Sequence, residues 1–298
     1  MSAQAPLFTV IIATYNWSSV LPYSTGSVLE QTFSNFELLV IGDGCTDDSE
    51  SVVKAIPDSR VRWINLPTNT KHQSGPNNEG LRQARGEFIA YLGHDDLWLP
   101  HHLSSLLEAL QFGADLAYAW TMIVRGDDSP QILVPYRPTY RPGLWIPPTS
   151  IAHRRKIPAQ VGNWRHYRDL RVDPEVDLLQ RVFDAGYSLT FLPRLTAIKF
   201  PAAQRRNVYK DRPSHEQAAW LKRIQQERDF EAVHLRNAFS VKIDKRKIEE
   251  DRSYSNSLLR FARRKYQRLA RSVQKRVHQY SPRGKTIEAR RRYKGLEN

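Results

Sequence analysis

The chain has 298 residues, enough to bury a full α/β core, and a formal net charge of +14. The charge is uneven, because residues 241–298 hold 19 Lys and Arg against 6 Asp and Glu, whereas residues 1–240 hold 26 against 25. One cysteine, Cys45, excludes an internal disulfide framework and a cysteine-based zinc site, and no apolar run of about 18 residues predicts a membrane-spanning helix.

Strands and helices are predicted to alternate through the first half of the chain. Apolar, β-branched runs predict buried strands over residues 7–13, 36–41, 61–66 and 88–92. Helical patterns are predicted over 20–31, through 52–55, over 78–85 and after Pro100. This alternation predicts an α/β fold with βαβ units, a mostly parallel central sheet and helices on both faces.

Polar residues stand where three of the predicted strands end. They are Thr14, Tyr15 and Asn16 after the first strand, Asp43 after the second, and His94, Asp95 and Asp96 after the fourth. Because the carboxyl ends of parallel strands meet at one edge of a sheet, these side chains are expected to form a ligand site. Paired carboxylates there suit a hard divalent cation that holds a phosphorylated ligand.

Each of these residues also has a structural interpretation. Asp95 or Asp96 can cap the helix that begins near Pro100, and Asp43 can be a turn aspartate beside Gly44. A lone histidine such as His94 is more often a hydrogen-bonding side chain than a metal ligand. The joint placement of the polar residues at successive strand ends favours the ligand site.

The second half of the chain is expected to carry the rest of the site. A buried strand is predicted over 114–124, and the proline-rich segment 136–148 predicts a loop whose aromatic residues either stack on an apolar face of a ligand or pack on the body. Pro174, flanked by Asp173, Glu175 and Asp177, predicts a helix start, where carboxylates are stabilised by the helix dipole. A final strand is predicted over 191–200.

A series of short blocks follows in order along residues 7–200. They are Ala13-Thr14-Tyr15-Asn16, Gln31-Thr32-Phe33, Phe36-Glu37-Leu38-Leu39-Val40, Asp43-Gly44-Cys45-Thr46-Asp47, Asn78-Glu79-Gly80, Ala84-Arg85-Gly86-Glu87 and Asp95-Asp96. Together they resemble the family 2 glycosyltransferases of GT-A fold, which act in bacterial glycan and polysaccharide synthesis. The resemblance implies an inverting hexosyltransferase that moves a sugar from a nucleotide-diphosphate sugar to an acceptor hydroxyl with Mn²⁺ or Mg²⁺.

The resemblance also implies residue roles. The nucleotide would contact Thr14, Tyr15, Asn16, Asp43, Asn78 and Asp95, and the metal would contact Asp95, with Asp96 and His94 as further candidates. The sequence departs from the family at Gly93, where the Asp-x-Asp motif has its first aspartate. The family's acidic block aligns with residues 174–178, which places the catalytic base on Glu175, with Asp177 and Asp173 as alternatives.

The basic tail is predicted to be separate in kind. We expect a glycosyltransferase domain over 1–230, with a nucleotide-sugar half over 1–112 and an acceptor half over 113–230, and a helical extension over 231–298. Apolar residues recur at three- and four-residue steps over 258–280 among many cations, which predicts a basic amphipathic helix. Such a helix suits peripheral contact with the inner face of the cell membrane, a partner groove or a second copy of the chain.

The expected acceptor is a glycan or lipid-linked glycan, and the expected location is cytoplasmic, consistent with the lone cysteine and with an N-terminus that predicts no signal peptide. Three alternatives stay open. The chain could be an inactive sugar-nucleotide binder, or a nucleotidyltransferase, although residues 14–20 lack a glycine-rich phosphate loop. The third alternative is a protein that binds nucleic acid through its basic tail, which is not expected because only the tail favours it.

Overall fold

A computed structural model of the protein describes residues 5–125, 130–133 and 139–238. The predicted amphipathic segment 258–280 and residues 134–138 of the proline-rich segment therefore lie outside the described residues. Within the described ranges, no helix is long and apolar enough to cross a membrane.

The described residues form one sheet of nine strands. The strands are β1 (Phe8–Thr14), β2 (Phe36–Gly42), β3 (Val61–Asn65), β4 (Phe88–Gly93), β5 (Leu97–Trp98), β6 (Leu116–Ile123), β7 (Gln131–Leu133), β8 (Ile151–Arg154) and β9 (Leu189–Lys199). Their order across the sheet is β3-β2-β1-β4-β8-β6-β9-β5, and β7 pairs with β6.

Eight α-helices are defined in the same residues. They are α1 (Leu21–Leu29), α2 (Ser49–Lys54), α3 (Ser74–Gln83), α4 (His102–Gln111), α5 (Ile157–Val161), α6 (Pro174–Asp184), α7 (Val208–Asp211) and α8 (His215–Gln226). The chain is helical again over 230–238. Helix α3 begins four residues before its predicted start, because Gly75 and Pro76 lie in its first turn, where proline is tolerated.

The sheet is mixed, so the prediction of a mostly parallel sheet is wrong for its second half. Strands β3, β2, β1 and β4 are parallel neighbours, as predicted. Strand β8 then runs antiparallel to both β4 and β6. A parallel neighbour needs a long crossover, usually an α-helix, and the described residues between β6 and β8 contain only the short 3-10 helix Pro148–Ser150.

Alternate residues of β1 pack on opposite faces of the sheet, which confirms helices on both sides. Val10 and Ile12 are fully buried in a cluster that includes residues of α1 and α4. Ile11 is fully buried in another cluster, together with residues of α6 and against α3. Such burial on both faces explains the uninterrupted apolar runs in the sequence.

The first four strands place a crevice at one edge of the sheet. The chain leaves β1 on one side to form β2 and β3, and then crosses to the other side of β1 to form β4. Ligands bind where strand order reverses in this way, beyond the carboxyl ends of the strands. The ends of β1 and β4, at Thr14 and Gly93, therefore mark the candidate site.

Candidate active site

A cleft of about 500 Å³ opens at this edge of the sheet. Seven of the predicted site residues line it, namely Thr14, Tyr15, Asp43, His94, Asp95, Asp173 and Glu175. Residues from other elements complete the walls, including Lys71 and His72 before α3, Trp145 from the proline-rich segment, Lys199 at the end of β9, and Tyr209 in α7. The structure thus brings both predicted carboxylate groups to one cavity.

Two predicted nucleotide-binding residues, Asn16 and Asn78, instead make hydrogen bonds to the backbone of other segments. The Oδ1 atom of Asn16 accepts hydrogen bonds from the backbone N–H of Thr46 at 2.7 Å and of Asp47 at 3.3 Å. Asn78 donates to the carbonyl of Trp164 at 2.9 Å and accepts from the backbone N–H of Trp164 at 3.0 Å. Neither asparagine is among the residues that line the cleft.

Asp43 orders the segment that forms one wall of the cleft. Its Oδ1 atom accepts hydrogen bonds from the backbone N–H of Thr70 at 2.8 Å and from the Thr70 hydroxyl at 2.7 Å. Its own backbone N–H donates to the carbonyl of Thr14 at 2.8 Å, which joins the ends of β1 and β2. Asp43 therefore fixes residues 69–72 relative to the sheet as well as facing the ligand space.

His94 is a neutral hydrogen-bonding residue in this environment. It is buried, its Nδ1 lies 2.9 Å from the Thr14 hydroxyl, and its ring contacts Trp17 with 5.2 Å between centroids. Burial lowers the pKa of His94 to about 4, and the nearby Asp96 carboxylate only partly opposes that effect. The Thr14 contact occupies one of the two ring nitrogens that could bind a metal.

The adjacent residues Asp95 and Asp96 have different surroundings. Asp96 is fully buried, and its carboxylate accepts hydrogen bonds from the Lys199 ammonium at 3.0 Å, the backbone N–H of Phe200 at 3.0 Å and the Thr149 hydroxyl. Asp95 lines the cleft, and its backbone carbonyl accepts a hydrogen bond from the side chain of Gln217 at 3.1 Å. Burial and the charge of Asp96 raise the pKa of Asp95.

Helix α6 separates Glu175 from Asp177. Glu175 lines the cleft, and its Oε1 accepts a hydrogen bond from the indole N–H of Trp145 at 2.6 Å. Burial raises the pKa of Glu175, as does the neighbouring Asp173, while the Trp145 hydrogen bond opposes the shift. Asp177 pairs with Arg181 at 2.8 Å and with Arg165 at 3.3 Å and does not line the cleft. Residues two positions apart on an α-helix are rotated by about 200° around its axis, so Glu175 and Asp177 point in nearly opposite directions.

Residues 9–168 match the family described as Glycosyl transferase family 2. The chain belongs to glycosyl transferase family 2. The match includes the ends of β1, β2 and β4, and it ends before Glu175 and Lys199.

Two curated relatives are similar in sequence to this chain over different lengths. An uncharacterized glycosyltransferase of Nostoc sp. is 30% identical over 184 residues, which cover 54% of this chain and 56% of that protein. The Escherichia coli UDP-Glc:alpha-D-GlcNAc-diphosphoundecaprenol beta-1,3-glucosyltransferase WfgD is 38% identical over 99 residues, which cover 33% of this chain and 38% of that protein. The chain thus spans about half or less of the length of these relatives.

A solved structure shares the fold of this family 2 chain. Residues 1–349 of S. aureus TarS, in complex with UDP-GlcNAc, superpose with a TM-score of 0.56 and 17% sequence identity. The superposition covers 76% of this chain and 68% of that one. At this level of identity, the likeness concerns the fold alone.

The resemblance implies that Gly93 stands at the first aspartate of the family's metal motif, and the structure shows what a side chain there would meet. A Cβ atom added to Gly93 would lie 2.6 Å from the Asp96 Oδ2 atom, which the ammonium of Lys199 and the Thr149 hydroxyl hold in place. The first aspartate of the motif therefore does not fit while Asp96 keeps these bonds. No group of three His, Cys, Asp or Glu side chains in the described ranges is arranged to hold a metal. Asp95 still fits a divalent ion that takes its other ligands from phosphates and water, a common mode for Mg²⁺.

Sequence reasoning missed two side chains at this family 2 site, Lys199 and Gln217, and it considered Trp145 only as one aromatic residue of the proline-rich segment. Lys199 lines the cleft and pairs with Asp96, Trp145 bonds Glu175, and Gln217 bonds the Asp95 backbone. Burial acts to lower the pKa of Lys199, but the charges of Asp96 and Asp95 outweigh it and raise that pKa. A lysine that ends the apolar run 195–198 was the one signal available in the sequence.

Proposed function

We propose that this chain transfers a sugar from a nucleoside-diphosphate sugar to a glycan hydroxyl, with inversion at the anomeric carbon. The observation that carries the proposal is that Asp95 and Glu175, 80 residues apart in sequence, line one cleft from different elements. One carboxylate suits the phosphate end of a donor, and the other suits an acceptor hydroxyl. The charge of Lys199 interacts with both of them.

Glu175 is the proposed general base. It accepts the proton of the acceptor hydroxyl while the oxygen attacks the anomeric carbon. The bond from that carbon to the diphosphate oxygen breaks on the opposite face of the ring, so a single displacement inverts the centre. Since burial raises the pKa of Glu175, its carboxylate is a stronger base than an exposed glutamate would be.

The leaving diphosphate is proposed to lie near Asp95 and Lys199. The Lys199 ammonium lies 3.0 Å from Asp96 and lines the cleft, so it offers a fixed positive charge to the departing phosphate oxygens. Mn²⁺ or Mg²⁺ held by Asp95 and the donor phosphates would neutralise the remaining charge when bound. His94 and Asp96 then act by supporting Thr14 and Lys199, rather than as metal ligands.

The names of similar proteins suggest the substrates to test first. WfgD is named for UDP-Glc and for a GlcNAc-diphosphoundecaprenol acceptor, and the TarS structure contains UDP-GlcNAc. We therefore propose a UDP-sugar donor and a lipid-linked glycan acceptor, in a pathway of cell-surface polysaccharide synthesis. Such an acceptor would bring the enzyme to the cytoplasmic face of the cell membrane.

The decisive experiment incubates the full chain with UDP-glucose, UDP-galactose, UDP-GlcNAc and UDP-GalNAc, each with GlcNAc-diphosphoundecaprenol. Release of UDP and the mass of the product are measured with Mn²⁺, with Mg²⁺ and with EDTA. We expect one donor to give UDP and a lipid heavier by one sugar. Binding of UDP-sugars without any transfer would support the alternative of an inactive sugar-nucleotide binder.

Membrane contact through residues 258–280 is a separate part of the proposal. Apolar burial at a lipid surface and about 1 kcal/mol for each cation on anionic lipid would together attach the chain reversibly. The full chain should co-sediment with anionic vesicles, whereas truncation after residue 240 or the substitution Leu269→Glu should weaken this binding. Equal sedimentation of full-length and truncated chains would contradict membrane contact and leave the predicted helix as a packing or oligomerisation element.

A further inference from the structure

Trp145 is held in the cleft by its neighbours in sequence. Ile146 is buried in the core cluster that contains Tyr91 and Leu179, and Leu144 packs against the same cluster. The backbone N–H of Leu144 also donates to the carbonyl of Arg141 at 3.0 Å, which closes a turn. With the residues on both sides packed into the core, the Trp145 side chain lines the cleft and keeps 36% of its surface exposed.

The indole N–H of Trp145 donates a hydrogen bond to Glu175. The distance from Trp145 Nε1 to Glu175 Oε1 is 2.6 Å, a short hydrogen bond for an N–H donor. Two charged side chains also act on Glu175, namely Asp173 next to the start of α6 and Lys199 at the end of β9. In the described part of the chain, no other side chain donates a hydrogen bond to this carboxylate. Trp145 therefore sets the orientation of Glu175.

The ring of Trp145 makes no aromatic or cation–π contact with another described side chain, and 36% of the residue surface is exposed. A flat, partly exposed indole beside a carboxylate suits a pyranose ring, which has an apolar face of C–H groups and hydroxyls around its edge. A ring stacked on Trp145 would present an edge hydroxyl to Glu175, because the indole N–H already fixes the carboxylate at its rim. An acyclic alcohol has no comparable face to stack.

We propose that Trp145 is the acceptor platform of this site, a positioning residue that orients Glu175 through its N–H and selects a pyranose acceptor through its exposed ring. This inference rests on the proposed function and deepens it by naming the residue that orients the base and contacts the acceptor sugar ring. A phosphate, a serine side chain or a simple alcohol would lack the stacked contact.

Two substitutions separate the two roles. Trp145→Phe keeps an aromatic face and removes the N–H, whereas Trp145→Ala removes both. Phe112→Ala is the matched control, because Phe112 is 87% exposed and does not line the cleft. The full-length proteins are assayed for release of UDP from the UDP-sugar that the wild type uses, without acceptor and with methyl N-acetylglucosaminide or glycerol as acceptor probes. UDP affinity reports whether each variant is folded.

Loss of the N–H should move the acid limb of the pH–rate profile to higher pH in both Trp145 variants, since the donor that stabilises the Glu175 carboxylate is gone. Loss of the ring should raise the KM for the methyl glycoside by about tenfold in Trp145→Ala and leave it nearly unchanged in Trp145→Phe. The glycerol-dependent rate should change equally in both. UDP affinity should stay the same in all variants.

An unmoved acid limb in Trp145→Phe would overturn the orienting role, and an unchanged glycoside KM in a folded Trp145→Ala would overturn the platform. If Trp145→Ala loses UDP affinity, the pH profile of Trp145→Phe decides between orientation and mere packing. A wild-type protein that turns over none of the UDP-sugars would overturn the proposed function itself, and the inference with it.

Discussion

The proposed donor side of the cleft is built mainly from strand ends, whereas the proposed acceptor side is built from a helix start and an irregular segment. On the donor side, Thr14 ends β1, and Asp43 and Asp95 follow β2 and β4; these three strands are paired in continuous parallel register. On the acceptor side, Glu175 comes from α6 and Trp145 from the segment before β8.

This difference separates what is fixed by local structure from what is fixed by tertiary contacts. Parallel register alone brings the donor-side residues to one edge, and each needs few other partners to face the ligand. On the acceptor side, Glu175 depends on a hydrogen bond to Trp145, which lies 30 residues away in sequence. The two sides are therefore expected to respond differently to substitution, with binding affected on one side and turnover on the other.

The largest effect is expected from Glu175→Gln, on the acceptor side. Turnover should fall by about 10²-fold or more, the usual contribution of a general base, while UDP affinity stays unchanged. The wild-type rate should fall as pH drops through the raised pKa of Glu175, because the base becomes protonated, and the variant should lack that dependence. Steady-state rates from low to neutral pH, with calorimetric UDP binding, provide the measurement.

Asp177→Asn is the matched control for that variant. Asp177 pairs with Arg181 and Arg165 away from the cleft, so its loss should lower stability by about 1–3 kcal/mol and change turnover little. The reverse pattern, with turnover lost in Asp177→Asn and kept in Glu175→Gln, would move the base two residues along the helix.

Asp95→Asn should have the next largest effect, on the donor side. The substitution keeps the shape of the side chain and removes the charge that faces the cleft. The gain in UDP affinity that Mn²⁺ or Mg²⁺ provides should disappear, and UDP affinity in EDTA should be unchanged. An intact metal-dependent gain in a folded variant would show that Asp95 is not the metal ligand.

Substitution of Lys199 tests whether its fixed positive charge also contributes to binding of the donor phosphates. Because removing it alone would leave the buried Asp96 uncompensated, Lys199→Met is combined with Asp96→Asn, and Asp96→Asn alone is the control. The double variant should bind UDP about tenfold more weakly than the control and bind uridine equally well, since a bond to a charged group is lost only at the phosphates. Equal loss for UDP and uridine would indicate a general change of the cleft.

The strands of the proposed donor side could be predicted from the sequence, whereas the short strands in the second half of the sheet could not, for a physical reason. The apolar runs that became β1, β2 and β4 are buried on both faces, so their ends could be located within about a residue or two. Strands β5, β7 and β8 have two to four residues each, too few to show a period, and they exist through pairing with distant strands.

The same limit applies to the metal candidates. Asp96 was a further metal candidate beside Asp95, but the pairing of Asp96 with Lys199 could not be inferred from residues 103 positions apart. Likewise, Gly93 appeared only as a departure from the family motif, and its close approach to Asp96 is a property of the folded turn. The roles of individual site residues therefore remain predictions that the substitutions described here test.

The smallest effect is expected from Gln217→Leu. Gln217 is buried in α8, beyond the residues that match the family, and bonds the Asp95 carbonyl at 3.1 Å. Loss of one neutral hydrogen bond costs about 1 kcal/mol, which corresponds to about 2–4 °C in the melting temperature. A few-fold loss of UDP affinity together with the shift in melting temperature would make α8 part of the donor side. An unchanged UDP affinity would limit Gln217 to packing.

Chemical rescue of Glu175→Ala by sodium azide tests the division of the cleft most directly. Azide attacks the anomeric carbon without losing a proton, so it does not need the base but still needs the donor side. We predict that azide restores UDP release in Glu175→Ala, that it does not do so in Asp95→Asn, and that proton NMR shows a glycosyl azide of inverted configuration. Absence of rescue in a Glu175→Ala protein that still binds the UDP-sugar, or a product of retained configuration, would contradict the account.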